Sequence, residues 1–138
     1  MRLLSSDMKY NATTIAFARI IAVYFCVTGL GFVISPDFFA KLATTTESDP
    51  VLINLSGMVH FFIGMTMLAF HFKWRRPLEI AVSVLSLLYL LKGIALIMIP
   101  ELTLQTGGNA AQTSILMPSF FLGVGITLGA FAFLRKQE

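Results

Sequence analysis

Polar and charged residues gather in short clusters along the chain and leave four long apolar stretches between them. The stretches run from about Thr13 to Ile34, Val51 to Phe72, Leu78 to Ile99 and Ser114 to Leu134. Each matches the ~20 helical residues that cross a hydrocarbon core of ~30 Å. A bilayer interior offers the backbone no water, so spanning segments are helices or closed barrels. These runs are continuous and lack the alternation of barrel strands. The pattern predicts an all-α membrane protein, a four-transmembrane-helix bundle forming one integral domain over residues 1–138. The first stretch is too long for a signal-peptide core and has no obvious small-residue cleavage site, so it is expected to remain in the mature protein.

The pattern also repeats. A shift of 64 residues lays the first stretch over the third, with Gly29 on Gly93, Pro36 on Pro100 and Asp37 on Glu101. A shift of 61 lays the second over the fourth, with Gly64-Met65-Thr66-Met67 on Gly125-Ile126-Thr127-Leu128. Two matches in the right order point to a duplicated helical hairpin whose halves run parallel, related by an axis along the membrane normal. Each repeated proline lacks an N–H and is expected to end its helix at the outer face. In the loop after Glu101, Gly107-Gly108-Asn109 reads as a turn.

Composition narrows the class. The chain is 57% hydrophobic and only 12% charged, which excludes an ordinary soluble domain. Its basic residues divide unevenly. Arg2, Lys9, Lys73, Arg75, Arg76, Arg135 and Lys136 fall on one side, and Lys41 stands alone on the other beside Asp37, Glu47, Asp49 and Glu101. The positive-inside rule then assigns both termini and the Lys73–Arg76 turn to the cytoplasm. Trp74 in that turn suits the membrane interface. The net charge of +3 is a topology signal without the extended patch of a nucleic-acid binder, so no nucleic acid is expected as partner.

Helical spacing sorts the remaining polar residues. Arg19, Ala22, Cys26 and Gly29 share a stripe on the first helix, and Ser56, Gly57, His60, Gly64, Met67 and His71 share one on the second. Glu79, Ser83, Ser86 and Gly93 form a third stripe, and Gly125-x3-Gly129 offers a tight contact on the fourth helix. Small residues let backbones approach in lipid, where packing and hydrogen bonding hold helices together. A small, mildly polar interior is expected inside a Leu/Ile/Phe exterior.

Four ionisable positions carry the candidate chemistry. Arg19 and Glu79 lie toward the same end, and a charge in hydrocarbon costs ~2.5–3.5 kcal/mol, so an intramembrane ion pair is expected unless Arg19 snorkels instead. His60 lies about 13 Å from the outer end of its helix. It is either a neutral imidazole bonded to a serine or backbone group, or a proton-responsive, ligand-contacting one. Lys92 lies at similar depth, about 10–12 Å in, and either lifts its amine toward the headgroups or faces a cavity. In the second case His60, Lys92 and Tyr89, one turn before Lys92, form a binding site for an anionic or carbonyl group. The lone Cys26 and the lack of an intramembrane acidic cluster supply no metal-ligand set. No metal, no cofactor and no catalytic residue are expected.

The short four-helix layout, Arg19 early in the first helix, the Gly29-x6-Pro36 ending and the glycines Gly57 and Gly64 resemble the DoxX-like group of small bacterial membrane proteins. That resemblance covers the whole layout and implies a bacterial inner membrane and, for some members, quinone-coupled sulfur oxidation alongside partner subunits. No residue set here carries such chemistry over. Two functions remain in view: a non-catalytic accessory subunit or binder of a lipid, quinone or other apolar ligand, and a small transporter or membrane enzyme using Lys92 and His60. Membrane lipids and either a second copy of the chain or partner membrane subunits are the expected partners.

Overall fold

A computed structural model of the chain describes residues 10–44, 49–104 and 116–134. These residues are helical, with no strand among them: α1 (Ala12–Ile34), α2 (Pro36–Thr44), α3 (Pro50–Phe70), α4 (Pro77–Met98) and α5 (Leu116–Phe133). All but α2 are long and apolar enough to cross a membrane. The chain is an integral membrane protein with a four-helix bundle. The Gly107-Gly108-Asn109 turn, Ser114, Glu47 and the charges at Arg2, Lys9, Arg135 and Lys136 lie outside the described residues.

Local chemistry sets the helix ends. Asn11 caps α1 by accepting from the Thr13 N–H at 3.1 Å, and Asp49 caps α3 by accepting from Val51 N–H at 2.8 Å. Pro50 and Pro77 open α3 and α4, where a missing N–H costs nothing. Pro36 and Pro100 do more than end helices. Each also begins one, α2 after Pro36 and a helical turn over 100–104 after Pro100. The sequence pattern showed only the break, because a proline that stops one helix is equally suited to the first turn of the next. The second span stops at Phe70, two residues before the apolar run does, because His71 leaves helical geometry as the C-cap.

Glycine decides which helices pair. Helix α3 packs along α4, and α1 along α5, while α1 and α4 touch over a smaller area. A methyl on Gly64 would meet the backbone of Leu90, and one on Gly93 the backbone of Phe61. Across the other pair, a methyl on Gly125 would lie 2.8 Å from Cys26 Sγ and one on Gly29 2.7 Å from Leu122 Cγ. Gly129 is looser, with Ala22 at 3.7 Å, so Gly125 alone makes the tight contact expected of that glycine pair. The connected helices α1 and α3 do not form a packed hairpin; each half of the chain packs against the other half.

The offsets that align the sequence also align these contacts. Adding 64 to Gly29 gives Gly93, and adding 61 to Phe61 gives Leu122, so the two glycine–neighbour pairs are equivalent. The pairs Gly125–Cys26 and Gly64–Leu90 are related in the same way. The helix ends agree too: Ser35 (φ −129°, ψ 59°) bonds back to Gly31 O, and Ile99 (φ −137°, ψ 59°) bonds back to Ala95 O, both at 2.9 Å. The repeat is thus present in three dimensions, as two interlocked halves.

Candidate functional site

Between the α1/α5 pair and the α3/α4 pair, Tyr24, Phe25, Phe120 and Phe121 on one side and His60, Leu85, Leu88, Tyr89 and Lys92 on the other line a pocket of about 170 Å³. Its walls are related by the repeat. Tyr24 corresponds to Leu88, Phe25 to Tyr89 and Phe121 to His60, at the same offsets of 64 and 61. The chemistry of the walls differs. The α1/α5 wall is aromatic, with Phe25 edge-on to Phe121 at 5.1 Å between ring centroids. The α3/α4 wall holds the imidazole, the amine and the Tyr89 phenol. The three residues that spacing nominated, His60, Tyr89 and Lys92, therefore line one pocket.

His60 and Tyr89 are held by their surroundings. The His60 ring stacks on Tyr89 at 5.5 Å with an interplanar angle of 21°. Its Nδ1 lies 2.7 Å from Ser56 O, one turn back. A carbonyl oxygen only accepts, so Nδ1 carries the hydrogen and neutral His60 keeps Nε2 as an acceptor. Lys92 reaches the pocket from α4 while remaining an exposed residue, so it belongs to the open side of the pocket. The polar wall thus combines a flexible amine donor, a phenol and an acceptor nitrogen.

A second polar cluster lies at the opposite end of the bundle, and it changes the assignment of Arg19. The described residues contain no Arg19–Glu79 ion pair. Arg19 Nε donates to Ala132 O at 3.1 Å, and its guanidinium carbon lies 4.9 Å from the centre of the Phe133 ring. The last carbonyls of a helix have no partner within it, and a cation suits that end. Arg19 therefore closes α5, which α1 packs against, whereas Glu79 belongs to α4, which meets α1 only slightly.

The repeat-related contact is made by His71 and Ser83. Adding 64 to Arg19 gives Ser83, and subtracting 61 from Ala132 gives His71. Both are fully buried. Ser83 Oγ donates to Lys73 O at 2.9 Å, which uses its only hydrogen. It therefore accepts at the long 3.4 Å contact from His71 Nδ1–H, which leaves His71 Nε2 to accept from Thr14 Oγ1–H at 2.8 Å. The stripes on the second and third helices placed His71 and Ser83 on inward faces, but nothing in spacing links Thr14 to a residue 57 positions away.

No group of three metal-ligating side chains occurs among the described residues. No protein-family model, curated protein or solved structure matches the chain.

Proposed function

We propose that this protein is a non-catalytic membrane binder of an amphiphilic ligand, a lipid or quinone-like molecule with a carbonyl or anionic head. Lys92 holds the head with His60 and Tyr89, and the ligand's apolar part lies against Phe25, Phe120 and Phe121. The reading is carried by one observation, that an amine, a phenol and an imidazole acceptor share a pocket with an aromatic wall. Size limits the occupant. A pocket of about 170 Å³ is close to the ~150 Å³ that accommodates a benzene-sized molecule. It takes a head or a single ring, and the rest of the ligand continues into the bilayer. The basic turn between α3 and α4 supports a cytoplasmic position for that turn and both termini. The resemblance to DoxX-like proteins supports a bacterial inner membrane and service as an accessory subunit.

Mass spectrometry of protein purified in mild detergent tests the reading. An amphiphile should accompany the wild type, and Lys92→Met should lower its occupancy about 10- to 100-fold, the equivalent of one charge-assisted hydrogen bond. Equal ligand content in both proteins would refute it. Transport or turnover lost with Lys92→Met while ligand is retained would favour the transporter or enzyme alternative.

A further inference from the structure

The turn between α3 and α4 forms a second, wider pocket of about 860 Å³, whose lining includes Lys73, Arg75, Arg76, Trp74, Tyr10 and Glu79. That volume falls in the ~300–1,000 Å³ range of small-molecule sites. Among the described lining residues three are cationic and one acidic, and Glu79 is itself only 6% exposed. Arg76 lies over the Tyr10 ring at 5.4 Å. Among the described residues no carboxylate pairs with Lys73 or Arg75.

The turn is held in place from below. Buried Ser83 takes both backbone groups of Lys73, accepting from its N–H at 3.3 Å and donating to its carbonyl at 2.9 Å. The cations are thus mounted on an anchored backbone. Beside them Trp74 and Phe72 meet edge to face at 5.6 Å, and both rings are exposed. Exposed aromatic rings at the ends of spans sit at headgroup level. The pocket opens where the spans α3 and α4 end and begin, so its occupant is a molecule of the bilayer surface.

We propose that this pocket binds the phosphodiester headgroup of an anionic phospholipid, with Lys73, Arg75 and Arg76 around the phosphate and Trp74 and Phe72 against the upper acyl chains. Each Lys or Arg near an anionic membrane surface contributes about 1 kcal/mol, equivalent to about fivefold in affinity.

Trp74 is the sole tryptophan of the chain, so its fluorescence reads this site directly. The full-length protein is reconstituted in phosphatidylcholine vesicles and titrated with chain-brominated phosphatidylglycerol or chain-brominated phosphatidylcholine, which quench a nearby indole. Quenching should favour phosphatidylglycerol. The preference should fall about fivefold for each cation removed in Arg75→Gln and in Lys73→Gln/Arg75→Gln. The Arg135→Gln/Lys136→Gln protein, which loses the same charge elsewhere in the chain, should keep the wild-type preference. Equal quenching by the two lipids, or a preference that survives Lys73→Gln/Arg75→Gln, overturns the proposal. So does an equal fall in the Arg135→Gln/Lys136→Gln protein, which would reduce the effect to general surface attraction. Relief of quenching by millimolar inorganic phosphate would reassign the site to a soluble phosphate and also overturn it.

Discussion

His71 carries no exposed surface, and its neighbours assign it a neutral tautomer. Burial pushes its pKa below the ordinary 6.5; Glu79 pulls upward and Lys73 downward, and desolvation dominates. The folded protein therefore holds this proton less tightly than the unfolded chain does. The resulting stability is complete above the unfolded value near 6.5 and is lost as pH falls toward the lower folded value. Thermal unfolding of the purified protein should show a melting temperature that declines below about pH 6.5, and His71→Gln should flatten that decline. At this scale the sequence was partly legible. The inward stripe identified Ser83 and His71 as interior, and the depth of His60 and Lys92 put them at one level. For Arg19 the sequence left a Glu79 partner and snorkelling as alternatives, because residue type does not reveal that the last carbonyls of a neighbouring helix lie within reach of its guanidinium.

For the helices, close approach is the controlling quantity, and the repeat gives it an internal comparison. Gly29 and Gly93 are equivalent, but what surrounds them is not equally yielding. A methyl on Gly93 would strike the backbone of Phe61, whereas one on Gly29 would mainly meet the Leu122 side chain. In unfolding measurements in detergent, Gly93→Ala should cost about 1–3 kcal/mol or more by forcing α3 and α4 apart. Gly29→Ala should cost less. Gly129→Ala, with only an ordinary contact at 3.7 Å, should be neutral or gain up to ~1 kcal/mol in helix propensity. The spans themselves were readable because length and apolarity determine them. Helix α2 was hidden, since nine residues that include Asp37 and Lys41 look like a polar loop until Pro36 is seen to start a turn.

Over the whole molecule, the order of packing follows order along the chain only in part. Helices joined by a loop are usually neighbours; α3 and α4, joined by the Lys73–Arg76 turn, follow that rule, but α1 lies beside α5 from the far end of the chain and not beside α3. The repeated glycines held that information, but only a spatial arrangement shows which glycine meets which helix. The membrane orientation is testable on intact cells in a Cys26→Ser background. A membrane-impermeant thiol reagent should label Lys41→Cys from outside and leave Arg75→Cys untouched until the cells are opened.

The mismatch between the two pocket walls has a consequence for how such a site can arise. Two identical hairpins meeting across an axis are bound to present the same side chains from both directions. A histidine at position 60 of one copy would then be matched by its twin across the same small pocket, where Phe121 now stands. Joining the copies into one chain removes that obligation. One wall can keep an amine and an imidazole, while the position equivalent to His60 in the other wall is phenylalanine at 121 and the position equivalent to Lys92 is threonine at 28. Covalent fusion is thus what permits a single-sided head-and-tail site, with an entry direction that a symmetric assembly of hairpins could not define.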